Sequence, residues 1–206
     1  MDGSGALLVM NIESRIARVQ RKTYETDIDA SINLDGVGER GIETGIGFLD
    51  HMLMAFSKHS AIDVRLRCKG DLDVDGHHTS EDCALVLGNA IDQCLGDRRG
   101  IRRFGSAYVP MDEALARSVV DLSGRPYAVV NLGLKRERIG QMATENITHV
   151  FQSLAVSLRA SIHIDCLRGE NDHHRSEAAF KALALAMRDA VSRTGDAQIM
   201  STKGVL

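Results

Sequence analysis

The chain of 206 residues contains the same pattern twice, and this internal repeat constrains the fold more than any other feature. The run HHTSE from His77 to Glu81 returns as HHRSE from His173 to Glu177, at an offset of 96. Two landmarks further upstream repeat at an offset of 98: Cys68 with Cys166, and His51 with His149. Landmarks in the same order at nearly constant spacing indicate a duplication.

Hydrophobic periodicity gives both halves the same order of elements, β-β-β-α-β-α. In the first half we expect strands at 15–20, 27–34 and, more weakly, 36–44, then a helix at 48–58, a strand at 62–68 and a helix at 77–95. In the second half we expect strands at 105–109, 114–122 and 127–134, a helix at 146–160, a strand at 161–167 and a helix at 173–192. Asp75 is expected to cap the first long helix, and Asn171 or Asp172 the second.

The pattern predicts an α+β fold, a two-layer α/β sandwich in which helices cover two similar sheets. The length fits one domain made of two halves, at about 12–100 and 101–195, followed by a tail at 196–206. A net charge of −3 gives no basic field for nucleic acid, and the apolar stretch at 6–10 is too short to span a membrane. The four cysteines lack a C-x-x-C pair, which predicts buried free thiols in a reducing compartment such as the cytoplasm.

The repeated motif offers metal ligands. His77 and His78 lie four and three positions before Glu81, so each can share a helix face with it. Adjacent histidines point about 100° apart on a helix, an arrangement that suits two ions. The repeat and its upstream histidines supply four ligands for each of two ions: His51, His77, His78, Glu81, His149, His173, His174 and Glu177. Imidazole and carboxylate without thiolate favour Mn²⁺, Fe²⁺ or Zn²⁺. Four flanking acids are expected to orient the imidazoles: Asp50, Asp73, Asp75 and Asp172.

Several motifs together resemble imidazoleglycerol-phosphate dehydratases: FLDHM at 48–52, DGHHTSED at 75–82, SGRPY at 123–127, DHH at 172–174 and STKG at 201–204. The similarity runs from about Arg15 to Leu206, and the sequence of residues 169–184 is most similar to fungal members. The resemblance implies halves of the ribosomal-S5-domain-2-like kind. It also implies dehydration of D-erythro-imidazole-glycerol phosphate to imidazole-acetol phosphate in L-histidine biosynthesis, at two Mn²⁺ ions per active site that bind the substrate imidazolate. A cytoplasmic homo-oligomer, a 24-mer built from trimers, is implied as well.

The resemblance also implies roles for single residues. Glu25 and Glu177 are the expected acid–base residues, and Glu25 is also expected to contact the substrate. Phosphate contacts are expected from Arg103, Arg125, Lys181, Ser201 and Lys203, while the rest of the basic run at 98–103 is expected to be a solvated turn. His59 and His163 lie outside the pattern. Two other readings stay open: a dinuclear metallohydrolase acting on a phosphoester, and a binding or storage protein whose metals only hold a shell together.

Overall fold

The computed structural model describes residues 14–206, and its elements follow the repeat. The first half contains β1 (Ile16–Lys22), β2 (Thr26–Asn33), β3 (Arg40–Glu43), α1 (Gly47–Ser60), β4 (Asp63–Gly70) and α2 (His77–Leu95). The second half contains β5 (Phe104–Met111), β6 (Ala114–Asp121), β7 (Tyr127–Asn131), β8 (Arg138–Ile139), β9 (Met142–Ala143), α3 (Thr144–Leu158), β10 (Ser161–Arg168) and α4 (Asp172–Ala190). The predicted extension at 6–10 and the first residues of the predicted first half lie outside the described residues.

The two halves build sheets of the same topology. The strand order is β1-β2-β4-β3 in the first sheet and β5-β6-β10-β7 in the second, while β8 and β9 form a small separate ribbon. β3 pairs in parallel with β4 in the first sheet, and β7 pairs in parallel with β10 in the second. The other pairs of both sheets are antiparallel. The mixed α+β fold predicted from the repeat is confirmed. The boundaries of the two halves stay a prediction.

The four helices lie between the two sheets and pack across the halves. α2 contacts the first sheet and α3, and α4 contacts the second sheet and α1. Gly88 permits the α2–α3 contact, because a Cβ atom there would lie 2.8 Å from the Leu154 carbonyl oxygen. In the second half, Phe151 of α3 and Phe180 of α4 are buried with their ring centroids 4.4 Å apart. Each helix of the first half thus packs against a helix of the second half, α2 against α3 and α1 against α4.

Two predicted strands are shorter in the structure. The expected strand at 36–44 begins only at Arg40, because the Val37 and Glu39 amides donate hydrogen bonds to the Asp63 carboxylate and hold this segment as a loop. The expected strand at 127–134 ends at Asn131, and the β8–β9 ribbon that follows was not predicted. Both differences come from contacts distant in sequence, which local periodicity does not show.

The four cysteines differ in burial. All four cysteines are free; Cys83 and Cys94 are buried, whereas Cys68 and Cys166 are only partly buried. Burial raises the pKa of the Cys94 thiol to about 11, so this group is a thiol at neutral pH.

Among the helices within residues 14–206, none has the length and apolar character needed to cross a bilayer.

Candidate metal centre and active site

Three predicted ligands meet where α1 crosses the start of α4. His51 Nε2 and His173 Nε2 each lie 3.1 Å from Glu177 Oε2. The three ligand atoms lie within 4.8 Å of one another. α1 presents His51, while the first two turns of α4 present His173 and Glu177. The Asn171 side chain caps this helix by accepting the His173 amide at 2.9 Å. We call this set, His51, His173 and Glu177, the α1–α4 group.

The second set lies at the start of α2, against α3. His149 Nε2 is 3.3 Å and His77 Nε2 is 3.9 Å from the Glu81 carboxylate. The two imidazole rings stack with centroids 4.8 Å apart. His77 Nδ1 lies 3.2 Å from the Asn146 side-chain oxygen, which leaves Nε2 for an ion. We call His77, Glu81 and His149 the α2–α3 group.

Each group fits a divalent cation. In the α2–α3 group, the His149 Nε2 atom is buried and has no hydrogen-bond partner among residues 14–206. Such a buried polar atom costs free energy unless a ligand satisfies it. Two imidazoles and one carboxylate form a donor set typical of Mn²⁺, Fe²⁺ or Zn²⁺ sites. The two groups therefore fit one ion each, with three of the four predicted ligands in place.

Each group draws its residues from both halves of the chain. His51 comes from the first half, but His173 and Glu177 come from the second. Conversely, His77 and Glu81 come from the first half and His149 from the second. The sequence left this pairing open, since it depends on how the helices of the two halves cross.

The structure does not bring His78 and His174 into either group. His78 Nδ1 lies 3.0 Å from Asp71 Oδ2, and His174 Nδ1 lies 2.7 Å from Glu113 Oε2. These hydrogen bonds raise the pKa of both histidines. The Nε2 atoms face other carboxylates, with His78 Nε2 3.6 Å from Glu25 and His174 Nε2 3.7 Å from Asp112. An imidazole whose Nδ1 is held by a carboxylate is the usual arrangement of a metal ligand, so both histidines remain oriented for an ion.

Sequence reasoning assigned the orienting role to the wrong acids. The Asp50 carboxylate accepts hydrogen bonds from Thr44, and Asp75 accepts one from the His77 backbone amide at 2.7 Å. Asp172 accepts the amides of the 135–136 loop. The groups that do face the imidazoles, Asp71, Glu113 and Asn146, were missed. A signal existed for Glu113, because its β5–β6 turn is the repeat of the β1–β2 turn that carries Glu25.

Glu177 is more buried than Glu81, the carboxylate of the other group. Burial alone would raise its pKa, but hydrogen bonds from Lys181 and His51 outweigh burial and lower the pKa to about 2. The Lys181 ammonium lies 2.7 Å from Glu177 Oε1. Glu177 is therefore ionised at neutral pH, as a metal ligand must be. Lys181, predicted to contact phosphate, lies beside this metal group.

The other predicted phosphate contacts share one pocket. Arg103, Arg125, Ser201 and Lys203 line it together with residues of the C-terminal segment. Asp121 holds the Arg103 guanidinium through two hydrogen bonds, at 2.7 Å and 3.1 Å. The Arg125 and Lys203 side chains have no hydrogen bond or ion pair to another residue of the described chain. Their charges are free to bind an anion, for which arginine offers a planar pair of donors.

Substitutions that keep the side-chain shape but remove the charge separate the orienting carboxylates from their neighbours. We expect Asp71→Asn and Glu113→Gln each to weaken Mn²⁺ binding by about 10–100-fold, because each variant loosens one imidazole. Titration calorimetry of metal-free protein measures the affinity. Asp73→Asn is the matched control, since it makes the same change at an exposed position two residues from Asp71. Equal affinities in all three variants would contradict the orienting role.

Comparisons with known proteins agree with this geometry. The family model described as imidazoleglycerol-phosphate dehydratase matches residues 44–187. A protein of that name from Eremothecium gossypii is 49% identical over 94% of this chain and 99% of its own length. One from Chlorobium luteolum is 59% identical over 93% and 96%. The crystal structure of the dehydratase from Staphylococcus aureus superposes with a TM-score of 0.79, at 38% identity over 87% of this chain and 99% of that chain.

A second solved structure, the dehydratase from Pyrococcus furiosus in complex with (S)-C348, gives a TM-score of 0.80 at 40% identity. It covers 91% of this chain and all of the other. Sequence and fold thus agree over nearly the whole chain, and the agreement includes the elements that carry both metal groups. The chain belongs to the imidazoleglycerol-phosphate dehydratase family and is a hydro-lyase of histidine biosynthesis.

Proposed function

We propose that the chain dehydrates D-erythro-imidazole-glycerol phosphate to imidazole-acetol phosphate, using two Mn²⁺ ions per active site. One observation carries the proposal: the duplicated helices build two three-ligand groups, and both lack a fourth ligand that the sequence contains. Two ions would suit a substrate with an imidazole ring, because imidazole nitrogens are common metal ligands. When bound, the ions would supply positive charge that stabilises the ring as an imidazolate.

The residues that would hold the ions follow from the geometry. The α1–α4 group and the α2–α3 group would each hold one ion, and His78 and His174 would supply the remaining ligands from neighbouring copies of the chain. Both histidines are hydrogen-bonded at Nδ1, and within residues 14–206 their Nε2 atoms face only a carboxylate, at 3.6 Å and 3.7 Å. Both lie outside the groups of their own chain. A homo-oligomer, with active sites between copies, therefore completes the ligand set. The 24-mer built from trimers that the family resemblance implies is the assembly we propose.

Glu25 is the residue we assign to proton transfer. It lies in the exposed turn between β1 and β2, and its carboxylate is 3.6 Å from His78 Nε2. The dehydration removes hydroxide from the carbon beside the imidazole ring and a proton from the next carbon, and the enol that results becomes the ketone. A carboxylate near the bound substrate is therefore required to move the proton. Glu177, already ionised and paired with Lys181, is suited to hold an ion. A further part for Glu177 in proton transfer stays a prediction.

The phosphate of the substrate binds in the cationic pocket. Arg125 and Lys203 bring unpaired charges, Ser201 brings a hydroxyl, and Arg103 is fixed in place by Asp121. The C-terminal segment at 199–206 lines the pocket, so bound phosphate would hold this segment in position. We also propose the cytoplasm as the working compartment, which suits four cysteines that form no disulfide.

A product assay tests the reaction. Metal-free protein is incubated with Mn²⁺ and imidazole-glycerol phosphate, and the ketone and inorganic phosphate are both measured. We expect ketone without phosphate release. Phosphate without ketone would establish the phosphoester hydrolase instead, because dinuclear metal sites also activate water for that reaction. Neither product, with metal bound and a shell formed, would favour the storage protein.

Removal of metal tests the shared ligands. If His78 and His174 bind ions held by other copies, chelation should release Mn²⁺ and break the assembly into smaller units. Light scattering before and after chelation measures the mass, and added Mn²⁺ should restore it. A chelated protein that has lost its metal but keeps its full mass would contradict the placement of His78 and His174 on ions held by other copies.

A further inference from the structure

A polar network fixes the β1–β2 turn against the start of α2. The Thr26 hydroxyl, at the first residue of β2, donates a hydrogen bond of 2.5 Å to Asp82 Oδ2 of α2. Arg21 of β1 pairs with the same oxygen through Nη1, an atom that is itself buried. Thr26 and Asp82 are only 2% and 5% exposed, so these contacts are largely shielded from water. We call Arg21, Thr26 and Asp82 the hairpin anchor.

The residues that align with the hairpin anchor in the second half are all apolar and buried: Val109, Ala114 and Ala178. The register of the two hairpins aligns Val109 with Arg21 and Ala114 with Thr26, and the repeated motif aligns Ala178 with Asp82. The same fold therefore forms with apolar side chains at these places. Because a buried ion pair is often no more stabilising than apolar residues, stability alone does not explain the polar network.

The carboxylates of the two turns also differ in what they contact. The turns have the same length, and Glu25 aligns with Glu113. The Glu113 carboxylate accepts two backbone amides at 2.8 Å and 3.0 Å and lies 2.7 Å from His174 Nδ1, so it fastens its own turn to the start of α4. Among residues 14–206, the Glu25 carboxylate accepts no hydrogen bond within the chain and faces His78 at 3.6 Å. In the first half the hairpin anchor fastens the turn, which leaves the Glu25 carboxylate available.

The backbone of the β1–β2 turn is fixed as well. Thr23 Oγ1 accepts the amides of Glu25 and Thr26 at 3.1 Å and 3.0 Å. The Glu25 carbonyl accepts the Asp71 amide at 3.0 Å, and the Asp71 carboxylate holds His78 Nδ1. Glu25 and His78 are thus tied to the same end of α2, and they would reach a shared active site together.

We propose that the hairpin anchor positions Glu25: it holds the β1–β2 turn on α2 so that the free carboxylate meets the substrate at a fixed place. Asp82 is the central positioning residue, because its Oδ2 atom contacts both other members. The inference rests on the proposed function, in which Glu25 moves a proton. Asp82 acts through Glu25, and a displacement of 1 Å in such a group can lower a rate by about 10²-fold.

Exchange of the hairpin anchor for the residues of its duplicate tests the proposal. We expect the triple variant Arg21→Val, Thr26→Ala and Asp82→Ala to keep its metal and its KM but to lose about 10–10²-fold in kcat. The matched control is the double variant Arg18→Val and Asp29→Ala, which removes an exposed ion pair between the same two strands and should keep the wild-type kcat. A triple variant with wild-type kcat would overturn the proposal.

The same exchange in an E25Q background separates positioning from general damage. If the hairpin anchor acts through Glu25, the exchange should cause no further loss of kcat once that carboxylate is gone. Equal losses in both backgrounds, or loss of metal from the triple variant, would assign the hairpin anchor a merely structural role and overturn the proposal.

Hydrogen exchange of the amides gives a readout that does not depend on activity. We expect residues 23–26 of the triple variant to exchange faster than in the wild type, while the denaturant midpoint of unfolding stays at or above the wild-type value. Unchanged exchange at the turn would contradict the fastening role of the hairpin anchor.

A milder pair of variants guards against misfolding of the triple variant. Thr26→Val removes the hydroxyl that donates to Asp82, whereas Thr26→Ser keeps it. We expect a lower kcat for T26V and the wild-type kcat for T26S; equal values in the two would contradict the proposal. A wild type that makes no ketone would overturn the proposed function and this inference with it, whereas an active wild type matched by the triple variant would overturn the inference alone.

Discussion

Replacing Glu25 with glutamine is expected to lower kcat for dehydration by about 10²–10⁴-fold while the protein keeps its metal and its mass. The amide has nearly the same shape as the carboxylate but cannot accept the substrate proton. Glu25 is exposed in the β1–β2 turn, so the substitution costs the fold little. Steady-state kinetics give kcat, and elemental analysis and light scattering give metal content and mass.

Asp27→Asn is the control for this experiment. Asp27 lies on the same hairpin and pairs with Lys22 at 2.7 Å on the exposed face, and we expect its kcat to stay within about twofold of the wild type. An E25Q variant with wild-type turnover would remove Glu25 from the mechanism. An E25Q variant that loses turnover together with its metal would make Glu25 part of the metal site and not the proton-transfer group.

Replacing Arg98 with alanine is expected to destabilise the protein by about 3–5 kcal/mol. Arg98 is only 2% exposed, and its guanidinium donates to the carbonyls of Leu158 and Arg159 at 2.8 Å and 3.1 Å. It also pairs with Asp92 of α2. Alanine would leave the carbonyls at the end of α3 and part of the Asp92 charge without a partner. Denaturant unfolding of the metal-free protein measures the loss.

The adjacent arginine provides the comparison. Arg99 pairs with Asp97 on the surface, where an ion pair contributes about 0–1 kcal/mol, so Arg99→Ala should change the unfolding free energy by no more than that. Equal losses for R98A and R99A would mean that the link between α2 and α3 adds no stability. The contrast also corrects an expectation: the basic run at 98–103 is not a uniformly solvated turn, because Arg98 is buried between the halves.

The sequence predicted those elements whose signals are local. The helix expected at 77–95 has those bounds in the structure, and the helix expected at 173–192 runs from Asp172 to Ala190. Both have strong apolar periodicity and a polar residue before the first turn that accepts the amide of the leading histidine, Asp75 in one case and Asn171 in the other. The histidines and glutamates that meet in the two groups were also recognisable in the sequence, because the repeat contains them twice; that they bind metal stays a prediction.

The remaining features depend on contacts between distant residues. Asp63 shortens the third strand from a position more than twenty residues away. The pairing of His51 with Glu177 depends on the crossing of α1 and α4, and Glu113 orients His174 across 61 positions of sequence. No window of neighbouring residues contains this information. The duplication could have supplied part of it, since a turn that matters in one half has a counterpart in the other.

The crossing of the helices places each of the two proposed ions between the two halves of the chain. Because the α1–α4 group and the α2–α3 group both take residues from both halves, neither half can separate or unfold without disrupting both groups. If each group binds the ion we propose, the binding free energy would be added to the contact between the halves, and two sheets that share no strand pairing would gain stability as one cooperative unit. A half-length chain of this design could hold such ions only by pairing with a second chain, at the entropic cost of association that one continuous polypeptide avoids.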